Sequence, residues 1–139
     1  MDSVASDIGI NQLAAVAAPS TLALRNRVAH HKGRDKVLAS LYNVLEDLYH
    51  DLIALKQTTI PEASTRTALA GPIRRCNLLC QEFERAMQEF AMKPTAGLRD
   101  WSKMEFTAGD INEFIDILTG YRATISVGLR TVSMSVPNH

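Results

Sequence analysis

The feature that most constrains the fold is a row of six leucines spaced three and four residues apart. The row consists of Leu38, Leu41, Leu45, Leu48, Leu52 and Leu55. An α-helix turns once in about 3.6 residues, so side chains at this spacing lie on one face. Such a long apolar face must be covered by other elements. The row therefore predicts a long amphipathic helix inside a helical protein.

Two further apolar series predict two more long helices. The first series is Leu69, Ile73, Cys76, Cys80, Phe83, Met87 and Phe90. The second is Ile111, Phe114, Leu118, Tyr121, Ile125, Leu129, Val132 and Val136. No comparable segment alternates with a period of two, and the connectors at Gln57–Pro61 and Lys93–Phe106 are short. We expect an all-α fold, an antiparallel bundle of four to five long helices over a single domain, 1–139.

Charge and cysteine usage narrow the choice of partner and compartment. Fifteen Lys and Arg balance fifteen Asp and Glu, which argues against a general electrostatic grip on nucleic acid. The basic stretch Arg25–Lys36 contains no aromatic residue on which bases stack. Cys76 and Cys80 form no disulfide framework or zinc set, and we expect them in the core. No basic region precedes the first apolar segment, so we expect no secretory signal and predict a cytoplasmic protein. The balanced charge predicts that nucleic acid is not a partner.

The N-terminal apolar segment leaves two interpretations open. Ile8 to Leu24 is seventeen residues without a charge, and a basic cluster follows it. It is either a bundle helix, kinked or split near Pro19 with Ser20 capping the second piece, or a conditional membrane segment. In the membrane interpretation, the protein moves to the periphery of a membrane on activation. This interpretation gives six candidate lipid contacts. They are Ile10, Leu13, Val16, Arg25, Arg27 and Lys32.

The last helix carries a start signal and a row of small residues. Thr107 and Asp110 have the spacing of a capping box, with Thr107 as N-cap and Phe106 placed to pack on Ile111. Gly120, Thr124 and Gly128 form a ridge of small side chains within this helix. Glycine destabilises a helix interior by about 1 kcal/mol, so the ridge indicates a close approach of another backbone. That backbone belongs either to this chain or to a partner.

A search for catalytic and ligand-binding motifs finds none that is complete. No histidine stands in a nucleophile–base motif, and we expect neither enzymatic activity nor a cofactor. Asp47, His50 and Asp51 are a one-sided acidic cluster, which we interpret as a solvated face and not a metal site. Pro72 is placed to begin the third helix, and Trp101 to plug an open end of the bundle.

Four segments resemble a known family over nearly the whole chain. They are SDIGINQLAAV, LRNRVAHHKGRDKVLASLYNVLEDL, LAGPIRRCNLLCQEFERAM and DWSKMEFTAGDINEFIDILTGYRATISVGL. Together they resemble the fungal N-terminal domain named after the azaphilone pigment biosynthesis cluster protein L. That domain is grouped with the HeLo-like N-terminal domains of fungal STAND proteins.

The resemblance implies a non-enzymatic helical module at the front of a longer protein. In STAND receptors, similar domains precede a nucleotide-binding oligomerisation core, and none follows within this chain. The first hypothesis is a signalling and interaction domain that self-associates or docks a protein partner. The second is a cell-death effector that inserts its N-terminal segment into a membrane, although Pro19 weakens that segment. The third is an accessory protein of secondary metabolism.

Overall fold

Four helices form the fold within the residues that the structure, a computed structural model, describes: 9–33, 35–93 and 100–135. They are α1 (Ile10–Lys32), α2 (Lys36–Lys56), α3 (Ala63–Met92) and α4 (Ile111–Ser135). Between α3 and α4 lie a 3₁₀ turn, Trp101–Lys103, and a small antiparallel hairpin of β1 (Glu105–Phe106) and β2 (Gly109–Asp110). The predicted all-α class is confirmed.

The three apolar series form the common core. All six leucines of α2 are fully buried, and so are the residues from Ile73 to Met87 of the apolar series on α3. Phe90, Tyr121 and Leu129 are partly buried and pack against this core. The Val132 side chain and Val136 lie outside the described residues. The burial shows that the helical periodicity identified the core faces correctly.

The helices are arranged as a ring in the order α1, α2, α4, α3. Thr21 lies beside Cys76 and Arg27 beside Glu84, so α1 and α3 run in the same direction. Phe114 stacks on Phe83, while Gly128 lies against Leu69, so α3 and α4 are antiparallel. Helices consecutive in sequence are therefore antiparallel as expected. The neighbouring pairs α1–α3 and α2–α4 are parallel, which the connector lengths did not indicate.

The first helix is continuous through Pro19, which answers the question of a split. Pro19 faces solvent, so the carbonyl acceptor that loses its backbone donor is not left unpaired in the core. The Ser20 hydroxyl does not cap a second helix but donates to Asn77 Oδ1 at 2.6 Å. At the start of α1, Asn11 Nδ2 donates to the carbonyl groups of Leu55 and Thr58 at 2.9 and 2.6 Å. These bonds join the beginning of α1 to the end of α2.

The prediction that Pro72 begins the third helix is wrong, because α3 begins nine residues earlier, at Ala63, and passes through Gly71 and Pro72. Leu69 is the reason. Its side chain is 1% exposed, and burying it holds the turns before Pro72 in helical register. The burial of a leucine offsets the loss of the hydrogen bond that a proline cannot make.

The predicted cap of the last helix is also wrong, by three residues. Thr107 lies in the turn of the β-hairpin, and Gly109 takes a positive φ of 110° there. Asp110 Oδ1 accepts from the Glu113 backbone N–H, and Glu113 Oε1 accepts from the Asp110 N–H, both at 2.9 Å. This reciprocal pair is a capping box with Asp110 as N-cap. The Phe106 ring packs edge-on against Phe83 and Phe114.

We expect Asp110→Ala to destabilise the protein by about 1 kcal/mol, because it leaves an N-terminal N–H of α4 without its acceptor. Thr107→Ala is the matched control and is expected to change stability by less than about 0.5 kcal/mol, as a surface turn substitution. The measurement is the free energy of unfolding in urea for both variants. Equal losses, or a larger loss for Thr107→Ala, would contradict the capping position.

Candidate interaction surface

The small-residue ridge of α4 divides into a packed part and an open part. Gly128 is buried, and a Cβ atom built on it would lie 2.9 Å from Leu69 Cδ1 and 3.2 Å from Leu69 Cδ2. Distances this short are not tolerated without movement of the neighbour. The glycine at 128 is therefore explained by the approach of α3 within the same chain.

Gly120 has a different environment. It is exposed, and a Cβ atom built on it would meet no heavy atom within 4 Å. Thr124, one turn later, is partly exposed, and its hydroxyl donates to the Gly120 carbonyl at 3.2 Å. No contact within the described residues explains a glycine at position 120. The ridge is therefore not one continuous contact surface within the chain.

A groove of about 340 Å³ lies between the first turns of α3 and the second half of α4. It is lined by Ser64, Thr65, Ala68, Leu69, Thr124, Val127, Gly128 and Thr131. None of these side chains is charged, and Val127 is 55% exposed. The groove is mainly apolar, and small side chains such as glycine and alanine in its walls leave the space open. An apolar side chain from another molecule fits such a site.

The apolar candidates for membrane contact do not share one environment. Ile10 is 3% exposed and belongs to the core, and Leu13 is partly buried against it. Val16 is 59% exposed on the outer face of α1. Within the described ranges, no helix combines the length and hydropathy that crossing a membrane requires.

The basic candidates are engaged by neighbouring helices. Arg25 pairs with Glu46 of α2, their closest atoms 2.5 Å apart, and Arg27 Nε lies 3.1 Å from Glu84 Oε2 of α3. Lys32 Nζ lies 5.1 Å from the centre of the Tyr42 ring. The hydrogen bond from His50, together with Arg25, lowers the pKa of Glu46. These contacts hold α1 to its two neighbours.

The acidic cluster on α2 is occupied by a cation from α4. Arg122 Nε lies 2.9 Å from Asp51 Oδ2, and its Nη1 lies 3.7 Å from Asp47 Oδ2. His50 Nε2 lies 3.1 Å from Glu46 Oε2, so the histidine pairs with Glu46. Among the residues the structure describes, no three His, Cys, Asp or Glu side chains are grouped to hold a metal ion. The two aspartates therefore join α2 to α4. The apolar spacing within one helix does not indicate which other helix its charged residues will meet.

Trp101 closes one end of the bundle, as predicted. It is 5% exposed and lies between the rings of His31 and Phe90, with centroid distances of 5.2 and 5.1 Å. The Trp101 ring thus joins the end of α1 to the end of α3. Its position is consistent with a structural plug.

Among the described residues, the interior contains a polar cluster that the sequence did not indicate. Thr21 is fully buried, and its hydroxyl oxygen lies 3.8 Å from the Sγ atoms of both Cys76 and Cys80. The expectation that the two thiols belong to the core is confirmed. Thr21 was missed although it lies on the same face as Ala14, Ala17 and Leu24, because threonine is usually exposed.

Comparison with known proteins gives one positive result. The family described as pigment biosynthesis cluster protein PigL N-terminal matches residues 1–138. Comparison with curated proteins and with solved structures finds no significant match.

We expect the two glycines of the ridge to respond oppositely to alanine. Gly120→Ala adds a methyl group in open space and should stabilise the protein by up to about 1 kcal/mol. Gly128→Ala forces Leu69 aside in a packed core and should destabilise it by about 1–3 kcal/mol. Urea unfolding of both variants measures the difference. Stabilisation by Gly128→Ala would show that α3 does not approach α4 as described.

Proposed function

Because the chain belongs to the pigment biosynthesis cluster protein PigL N-terminal family, we propose that it is a non-enzymatic helical interaction domain of that family. The interaction we propose is self-association of two copies through the groove between α3 and α4. The observation that carries the proposal is an exposed valine on the α4 wall of an apolar groove. Val127 is 55% exposed, and the groove that it helps to line has only uncharged side chains.

We infer a second copy as the occupant because one patch contains both a projecting side chain and a recess. A twofold interface uses the same patch on both subunits, so it must contain both a projecting group and a recess. Val127 supplies the projecting group, and the hollow next to Ala68 and Thr124 supplies the recess. Two copies related by a twofold axis would each insert Val127 into the other groove. The exposed Gly120 is on the same helix and allows the two α4 backbones to come close.

The expected affinity is low. Fully burying a valine contributes about 1.5–3 kcal/mol, and Val127 is already half covered, so two copies gain about 2 kcal/mol from these side chains. Association itself costs roughly 4–15 kcal/mol, which the remaining apolar lining and the α4 backbone contact must offset. We therefore expect a concentration-dependent dimer and not a permanent one.

The setting we propose is cytoplasmic, with the domain bringing together the proteins that contain it. HeLo-like domains of STAND proteins are expected to act in this way, and an accessory protein of a pigment cluster can use the same contact. The proposal does not extend to membrane insertion. Arg25 and Arg27 are paired with carboxylates of other helices, and Ile10 is part of the core.

Val127→Asp should weaken self-association at least tenfold, because it places a charge in an apolar contact. The matched control is Val16→Asp, a substitution of the same kind at a residue of 59% exposure on α1, which should leave self-association unchanged. Sedimentation of both variants and the parent over a range of concentrations gives the dissociation constants. Circular dichroism checks that both remain folded.

Two outcomes would overturn the proposal. One is a parent chain that stays monomeric at millimolar concentration. The other is an equal loss for Val16→Asp and Val127→Asp, which would place the contact elsewhere or make it non-specific. A Val127→Leu variant that self-associates at least as tightly as the parent would support the groove, because a larger apolar side chain fills the same recess.

A further inference from the structure

We propose that Cys76 and Cys80 form a buried dithiol site for trivalent arsenic, bound as arsenous acid, the neutral form of arsenite. The two thiols are one helical turn apart on the inner face of α3 and are fully buried. They lie against Thr21 of α1 at the buried centre of the contact between the two helices. The proposal is independent of the function proposed above.

Three polar atoms converge at this point in the core. The Sγ atoms of Cys76 and Cys80 each lie 3.8 Å from Thr21 Oγ1, so the hydroxyl group bridges the two thiols. The Thr21 hydroxyl donates its own proton to the Ala17 carbonyl at 2.9 Å. Its oxygen is therefore left to accept protons from the thiols. A ligand that replaces the thiol protons meets one oxygen acceptor and two sulfurs.

The environment favours a ligand whose complex has no net charge. Burying an unpaired charge in an apolar interior is very costly. A Cu(I) ion held by two thiolates leaves a net negative charge, and zinc requires four ligands where two sulfurs are present. Trivalent arsenic is pyramidal, bonds strongly to two sulfurs on one side, and retains an oxygen ligand. Its bis-thiolate hydroxide is uncharged and fits this set of atoms.

The reaction balances without a change of oxidation state. Arsenous acid, As(OH)₃, reacts with two thiols to give (RS)₂As–OH and two molecules of water. Two As–O bonds break, two As–S bonds form, and the two thiol protons leave in the water. The remaining As–OH group can donate to Thr21 Oγ1, the acceptor that the thiols released.

Entry requires α1 to separate locally from α3. The seam is closed by the Ser20–Asn77 hydrogen bond at 2.6 Å and by the Arg27–Glu84 pair, whose closest atoms are 3.1 Å apart. Both contacts are part-buried, whereas the cluster itself is fully buried. Local opening of this kind occurs with a smaller free energy than global unfolding. Arsenous acid is uncharged, so it can enter such an opening. We therefore expect slow but complete capture.

The test is native mass spectrometry and arsenic quantification on the reduced, folded chain incubated with arsenite. We expect one arsenic per chain with the helical circular dichroism retained. Cys76→Ser and Cys80→Ser should each lower the affinity at least tenfold, because one sulfur cannot chelate. Thr21→Val keeps both thiols and should weaken binding severalfold through loss of the acceptor for As–OH. Ser20→Ala should increase the rate of capture without changing its stoichiometry.

The Leu79→Ala variant is the matched control for altered packing, since Leu79 lies on the same helix and is partly buried outside the cluster. It should retain one arsenic per chain. The proposal is overturned if the folded parent binds no arsenic, if a single-cysteine variant binds as tightly as the parent, or if binding occurs only in urea. Should both serine variants unfold, Cys76→Ala and Cys80→Ala replace them in the same comparison.

Discussion

The burial of the leucine face of α2 is the interaction on which the other elements depend. Its six leucines are fully buried, and burying a leucine contributes roughly 1.5–3 kcal/mol, so the face supplies on the order of 10 kcal/mol or more. An ion pair near the surface, such as Arg25–Glu46, contributes far less because solvent screens it. The apolar face therefore decides that the helices assemble. The ion pairs between helices decide which residues lie opposite one another.

The sequence predicted the core well because helical periodicity depends only on neighbouring residues. Nearly every apolar residue predicted on an inner face is buried or packs on the core. Helix ends were predicted less well. The turns before Pro72 are helical because Leu69 meets α4, a contact between residues distant in sequence. The cap at Asp110 uses Glu113 three residues later, and the choice of Asp110 over Thr107 follows from a hairpin whose Gly109 takes a positive φ.

The candidate surface was predicted in part. Gly120, Thr124 and Gly128 were identified as unusual for a helix, but the sequence could not show that Gly128 faces Leu69 while Gly120 faces open space. The groove depends on α3 beginning at Ala63, so a helix beginning at Pro72 could not have supplied Ser64 and Ala68. The pairing of Arg122 with Asp51 was also missed, because it joins residues of two helices that are distant in sequence.

The order of the helices around the ring gives the fold a division that the helix list alone does not show. Antiparallel α1 and α2 make one helical hairpin, and antiparallel α3 and α4 make a second. The two hairpins lie side by side, and α1 with α3 and α2 with α4 form the contacts between them. Thr21 with the two cysteines lies at one junction of the hairpins, and Arg122 with Asp51 lies at the other. If the two hairpins separated as rigid bodies, both junctions would open at once. One would expose the apolar, thiol-containing contact between α1 and α3, and the other the charged contact between α2 and α4.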